Sequence, residues 1–125
     1  MKIAYKIKTF ISSTGYEILV GQDEASNDYL SLKLAAQNDT WLHVAGVPGS
    51  HVVLKCEKPD KQTLQEAAGL AAWFSKMRQG GRVAVSYCPA RNVHKPRGAK
   101  PGSVTLSRHK IITVRPQLLE SSETE

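Results

Sequence analysis

The chain opens with a period of two. Between residues 2 and 11 the apolar side chains Ile3, Tyr5 and Ile7 alternate with Lys2, Lys6 and Lys8. Successive side chains of a strand point to opposite faces, so this spacing predicts a half-buried strand. Ser12-Ser13-Thr14-Gly15 is a turn cluster, after which Tyr16-Glu17-Ile18-Leu19-Val20 supplies strand formers up to Gly21; together the two segments predict a hairpin. Ser26 or Asn27 is placed to cap a short helix bearing Tyr29, Leu30, Leu32, Leu34 and Ala35 that ends near Gln37-Asn38, because a small polar side chain there satisfies an otherwise unpaired N–H. Residues 41–44 and 51–55 read as two further strands, joined by a turn containing Gly46, Pro48 and Gly49. If Leu42, Val44, Val52 and Leu54 face a core, then Trp41, His43, His51 and Val53 share the other face, which brings the two histidines together.

The clearest helix starts at Pro59-Asp60 or at the capping box Thr63-Leu64-Gln65-Glu66 and runs toward Gly80-Gly81. Leu64, Ala68, Ala71 and Phe74 or Ser75 form one stripe, and its small residues predict close packing against a sheet. Glycine inside a helix costs up to about 1 kcal/mol against alanine, so a tight contact is expected at Gly69. Residues 82–87 predict a strand, and residues 105–106 and 111–114 a final strand pair around Ser107-Arg108-His109-Lys110. The intervening Val93-His94-Lys95-Pro96-Arg97-Gly98-Ala99-Lys100-Pro101-Gly102 is an exposed loop by composition, since its prolines lack donors and its glycines relax the backbone. Neither an internal repeat nor a linker interrupts residues 1–116. The expectation is a single α+β domain over residues 1–116, a mixed or antiparallel sheet packed with two main helices, followed by an acidic, disordered tail over 117–125.

Composition narrows the class. A chain of 125 residues with 41% hydrophobic content buries about two-thirds of its unfolded surface in a core. It contains no apolar run near the roughly 20 residues of a membrane span, and its N-terminus lacks the apolar stretch of a secretory signal, so a cytoplasmic location is expected. Cys56 and Cys88 stand far apart with no CxxC at either, which makes them small buried hydrophobes rather than redox or zinc ligands. The net charge is +6, yet residues 1–66 hold 7 basic and 8 acidic side chains while residues 67–119 hold 10 basic and none acidic. A stretch with no carboxylate of its own projects a positive field, and nucleic acid is the common partner for it.

Candidate chemistry concentrates in two places. Ser50 and His51 are adjacent, but neighbours along a strand face opposite ways and do not form a nucleophile–base pair. His43 and His51 lack the third and fourth ligands of a zinc site, and the glycine loops match no nucleotide-binding motif; no metal or cofactor is expected. The loop with His94, Lys95, Arg97 and Lys100 is different, because its cations have only solvent or a ligand to face. The Trp41/His43/His51 face and Tyr87 are candidate stacking platforms for unpaired bases, the alternative being that Trp41 is half-buried packing.

The strings SNDYLSLKLAAQNDTWLHVAGVPGSHVVLK, LQEAAGLAAWFSK and VSYCPARNVHKPRGAKPGSV resemble, in order and spacing, the NFACT-R domain of ribosome quality-control proteins, in a short stand-alone version. The resemblance implies an RNA-binding α+β domain acting on tRNA or ribosomal RNA, with the large ribosomal subunit as a possible partner. It puts the family's Asn-Asp on Asn27-Asp28, its Asp-aromatic-His on Asp39, Trp41 and His43, its Pro-Gly-Ser-His on Pro48 through Ser50 and His51, and its basic loop on Lys95, Arg97 and Lys100, with Arg91 nearby. Where the family often has a basic residue and Asn after its glycine, this chain has Gln22-Asp23 after Gly21. The addition of alanine or threonine tails to stalled peptides is associated with the complete proteins. The reading is a non-catalytic RNA-binding module without membrane attachment or DNA specificity. The rival is an enzyme or accessory subunit of tRNA base modification, such as thiolation, which requires at least three of Asp39, His43, Ser50 and His51 to converge on one pocket. A protein adaptor for the ribosome is a third reading. On the first reading, replacing Lys95, Arg97 and Lys100 together is expected to weaken RNA binding at unchanged thermal stability.

Overall fold

The computed structural model describes residues 4–120. Strands β1 (Ile7–Ile11) and β2 (Glu17–Gly21) form the expected hairpin, with Phe10 opposite Ile18. β1 is shorter than the alternation suggests. Residues 1–3 lie outside the described residues, and ahead of β1 the Lys6 N–H donates to Ser26 Oγ at 2.7 Å while the Tyr5 ring stacks on Tyr29 at 3.9 Å. That segment is therefore committed to the next helix.

This helix, α1 (Glu24–Tyr29), is capped by Asp23, whose carboxylate accepts the Ser26 N–H at 2.8 Å. Ser26 and Asn27, the expected caps, are instead buried inside it. The cap therefore sits three or four residues earlier than the sequence suggests. α1 continues as a π-helical turn, Leu30–Leu34, which delivers the chain to β3 (Thr40–Val44) and β4 (Val52–Leu54). Next comes α2 (Lys61–Trp73), capped by Asp60 through the Thr63 N–H at 2.9 Å. It ends well short of Gly80 because Ser75 Oγ donates to the Ala72 carbonyl at 2.7 Å and the Phe74 carbonyl accepts the Ser50 N–H at 3.0 Å. The chain then forms β5 (Val83–Pro89), a 3-10 turn at Ala90–Asn92, β6 (Val93–His94), β7 (Thr105–Leu106) and β8 (Lys110–Val114).

Six strands form one antiparallel sheet in the order β1-β2-β4-β3-β5-β8, so among the described residues the fold is α+β with two helices. β7 and β8 do not pair as expected. β7 joins β6 in a separate two-stranded ribbon, and β8 completes the sheet beside β5. The two faces of the sheet are both covered. Leu42, Val44, Val52 and Leu54 face α2 in the main core, together with Ile18, Val20, Val83 and Val85. Trp41 and Val53 point the other way into a second, smaller core with Leu30, Cys88, Ala90 and Val93, closed by the π-helical turn and the β6–β7 ribbon. Cys56 and Cys88 are buried and unpaired by any disulfide, as their spacing suggests.

Gly69 in α2 has the tight contact its position demands. A Cβ there would lie 3.2 Å from the Gln117 Cβ, and the Gln117 N–H donates to the Gly69 carbonyl at 3.0 Å. The partner is the chain segment after β8 rather than the sheet. The expected tail falls partly beyond view, since residues 121–125 lie outside the described residues.

Candidate nucleic-acid interface

The alternation in β3 and β4 places Trp41, His43 and His51 together on the face opposite α2. The His43 and His51 rings are 5.4 Å apart and the Trp41 and His51 rings 5.1 Å apart. The clustering is as expected, but the face is not open. Trp41 and His51 are each only 2% exposed, because the π-helical turn, Asn27 of α1 and the segment from Gly102 to the β6–β7 ribbon cover them. Trp41 is thus a packing residue and offers no platform for a base. Tyr87 is on the opposite, α2-facing side of the sheet, where it packs against the main core.

Beneath the cover runs a chain of hydrogen bonds whose directions are fixed by chemistry. His51 Nε2 lies 3.0 Å from the Gly102 carbonyl, which only accepts, so Nε2 carries the proton. Nδ1 is then bare and accepts the Ser31 hydroxyl proton at 2.7 Å, and Ser31 Oγ in turn accepts Trp41 Nε1–H at 2.7 Å. Burial, followed by the nearby charge that His43 would carry, lowers the His51 pKa to about 4, so the ring is neutral at pH 7. Burial likewise lowers the His43 pKa. Ser31 was not singled out in the sequence; its signal is a serine amid Leu30, Leu32 and Leu34, ten residues ahead of Trp41.

Asn27 and Asp28 hold this arrangement to its surroundings. Asn27 Oδ1 accepts the His51 N–H at 3.1 Å, and its side chain fills the space that a Cβ on Gly21 would need. Asp28 accepts the Gly102 N–H at 3.1 Å and forms an ion pair with Lys95 at 3.1 Å. Lys95 Nζ also donates to the Ser103 carbonyl at 2.9 Å and to the Lys100 carbonyl. Lys95 is therefore the clasp of the basic loop, tied to a carboxylate 67 residues away. Its removal is expected to loosen the loop, so replacing Lys95, Arg97 and Lys100 together would perturb stability as well as binding.

With Lys95 engaged, Arg97 and Lys100 remain exposed on the clasped loop, and neither has an ion-pair partner among the described residues. Beside them is a cleft of about 480 Å³ between the turn after β3 and residues 101–104, with His43, His51, Ser86 and Gly102 in its walls. Ser50 opens instead onto an adjoining cleft across Pro48 and Gly49, where Trp73, Lys76 and Arg78 lie; the Arg78 guanidinium rests 4.8 Å from the Trp73 ring centre. Asp39 is remote from both. Its carboxylate accepts the Ala36 N–H at 2.8 Å and pairs with Lys55 at 2.5 Å, closing the turn that enters β3. Only His43 and His51 of the four residues proposed for a catalytic pocket share one cleft, and both nitrogens of His51 are occupied. Arg91 does not adjoin the loop either; it donates to Asn38 Oδ1 and lines a different cleft. No three of His, Cys, Asp and Glu gather into a metal-sized site among the described residues, and none of the described helices is long and apolar enough to cross a membrane.

The fold and this site define an α+β domain with an ordered cationic loop beside a buried Trp-Ser-His chain. The sequence profile of the NFACT protein RNA binding domain matches residues 6–108, and the chain belongs to that family. It is 46% identical over 110 residues to the Rqc2 homolog RqcH of Bacillus subtilis, covering 88% of this chain and 19% of the relative. It is 42% identical over 100 residues to the Rqc2 homolog RqcH of Streptococcus suis, covering 79% of this chain and 18% of the relative. The chain thus spans about a fifth of the length of these curated relatives. A solved structure of the C-terminal part of the fibronectin/fibrinogen-binding protein of Streptococcus suis superposes with a TM-score of 0.88 at 37% identity, over 93% of this chain and 47% of that one.

Proposed function

We infer that this domain binds RNA of the translation machinery, tRNA or ribosomal RNA in the setting of ribosome quality control, by presenting Arg97 and Lys100 to the phosphate backbone. The observation that carries the reading is the clasped loop. Lys95 and Asp28 hold its main chain, so the two exposed cations are displayed from an ordered support and little further ordering is needed on binding. The rest of the stretch supports the same conclusion, because residues 67–119 contain no carboxylate of their own, and of the acids that α1 brings to the loop Asp28 is already paired with Lys95. Lys76 and Arg78 line the cleft across Pro48 and Gly49, but Asp23 and Glu24 line it too and balance their charge. The neutral His43 ring beside the loop offers hydrogen bonding without added charge.

The test uses Arg97→Gln with Lys100→Gln, which leaves the Lys95 clasp in place. Affinity for a single-stranded or tRNA ligand is expected to fall about tenfold, near 1.4 kcal/mol, at unchanged melting temperature. Unchanged affinity in fluorescence anisotropy would remove the loop from the interface. Equal losses of affinity and stability would make it a structural element only.

A further inference from the structure

Beside Leu64 near the start of α2, against the α2 face of the sheet, there is a second cleft of about 480 Å³. Register explains its position. Val83, Val85 and Tyr87 alternate onto the α2 face of β5, and Lys110 of β8 lies directly opposite Tyr87. α2 covers the two valines in the main core, whereas Tyr87 is only half-buried and forms part of the cleft wall. Around it stand four cations, Lys58, Arg91, Arg108 and Lys110, against one carboxylate, Glu57. None of the four is in an ion pair among the described residues.

A second, independent observation falls on the same cleft. Among the described residues, the non-glycine positions with left-handed backbone are Lys58 at φ 54° and Arg108 at φ 48°. Glycine occupies that region freely and long side chains do so at a cost. Both strained positions line this one cleft, and both carry a cation there. Conformational strain of this kind persists only where the surrounding structure imposes it, and it gathers at functional sites.

We propose that this cleft holds an unpaired nucleotide of single-stranded RNA, its base against the Tyr87 ring and its flanking phosphates on Lys58, Arg91, Arg108 and Lys110. The proposal rests on the reading that the domain binds RNA, and adds a site on the opposite face of the sheet from His43 and His51. The volume is that of a small-molecule pocket. An aromatic wall supplies the stacking that every base accepts, and arginine forks onto phosphate oxygens. A flat acidic peptide would use the cations but has no need of the recess or the ring.

The experiment uses the full chain and a fluorescein-labelled oligouridylate in anisotropy titrations over a range of salt. The double variant Lys58→Gly with Arg108→Gly removes two cations at positions where glycine fits the backbone better, so its melting temperature is expected to be equal or higher. Its affinity is expected to fall about tenfold and its log–log salt slope to become shallower by about 1.4, two phosphates at roughly 0.7 each. A 4-thiouridine-substituted strand is expected to crosslink to the peptide containing Tyr87. Undiminished binding by the variant, with the wild-type chain still binding RNA, overturns this site and leaves the loop reading intact. A wild-type chain that binds no RNA overturns both. Displacement of the RNA by polyglutamate of equal charge assigns the cleft to acidic protein instead, and also overturns the proposal.

Discussion

Replacing Ser31 with alanine is expected to lower the unfolding free energy by about 2–4 kcal/mol, because two buried groups each lose their partner at roughly 1–3 kcal/mol. The groups are Trp41 Nε1–H and His51 Nδ1, both 2.7 Å from the Ser31 hydroxyl in residues 2% exposed. Both side chains are buried, so little solvent is at hand to replace the lost hydroxyl. For a domain of this size the loss corresponds to a fall in Tm on the order of 10 °C. Urea or thermal denaturation checks it, and a double-mutant cycle sharpens it: in a Trp41→Phe background the same change should cost less, since one of the stranded groups is already gone. A loss below about 0.5 kcal/mol, the level of an ordinary surface substitution, would contradict the buried chain.

Acidification is the second large effect. The His51 pKa falls from 6.5 to about 4 in the folded protein. Between those two values the unfolded chain takes up a proton that the native ring refuses, so stability is fully present above about pH 6.5 and is lost as pH falls toward 4. The size is on the order of 3 kcal/mol, at 1.36 kcal/mol per pKa unit. His43 shifts in the same direction, chiefly through burial, and adds to the loss. The Asp28 carboxylate acts against the shift and Lys95 with it, both more weakly than burial and His43. Urea unfolding at neutral pH, at pH 5.5 and at pH 4 should show this decline, and the His51→Gln variant should flatten it. The His51 ring resonances in NMR should titrate below pH 5; titration near 6.5 would contradict the account without any variant.

The parts of this structure that were legible in the sequence are those set by local rules. The pleat has a period of two, so Leu42 and Val44 against Trp41 and His43 could be assigned to faces from four consecutive letters. Gly69 announced a close neighbour because a helix tolerates glycine poorly. What escaped was set by distant segments. Whether the Trp41 face is open or covered depends on α1 and on the loop near Gly102, 51 residues from His51. Lys95 looked like a phosphate ligand because nothing near it in sequence is acidic, yet its partner is Asp28. Ser26 carries the signature of a cap, but Asp23 offers the same chemistry one turn earlier and leaves Ser26 to receive the Lys6 N–H. Arg91 is near the loop in sequence and Tyr87 is an aromatic suited to stacking like the Trp41 face, yet the sheet separates both onto a different cleft.

The most direct test of the central claim is the salt dependence of RNA binding by the intact chain. Neutralising roughly five phosphates of a single strand gives log Kobs against log salt a slope near −3.5. That slope, reduced by about 1.4 in the Arg97→Gln, Lys100→Gln variant, is the result this account predicts. A slope near zero, or one that the variant leaves unchanged, would contradict it.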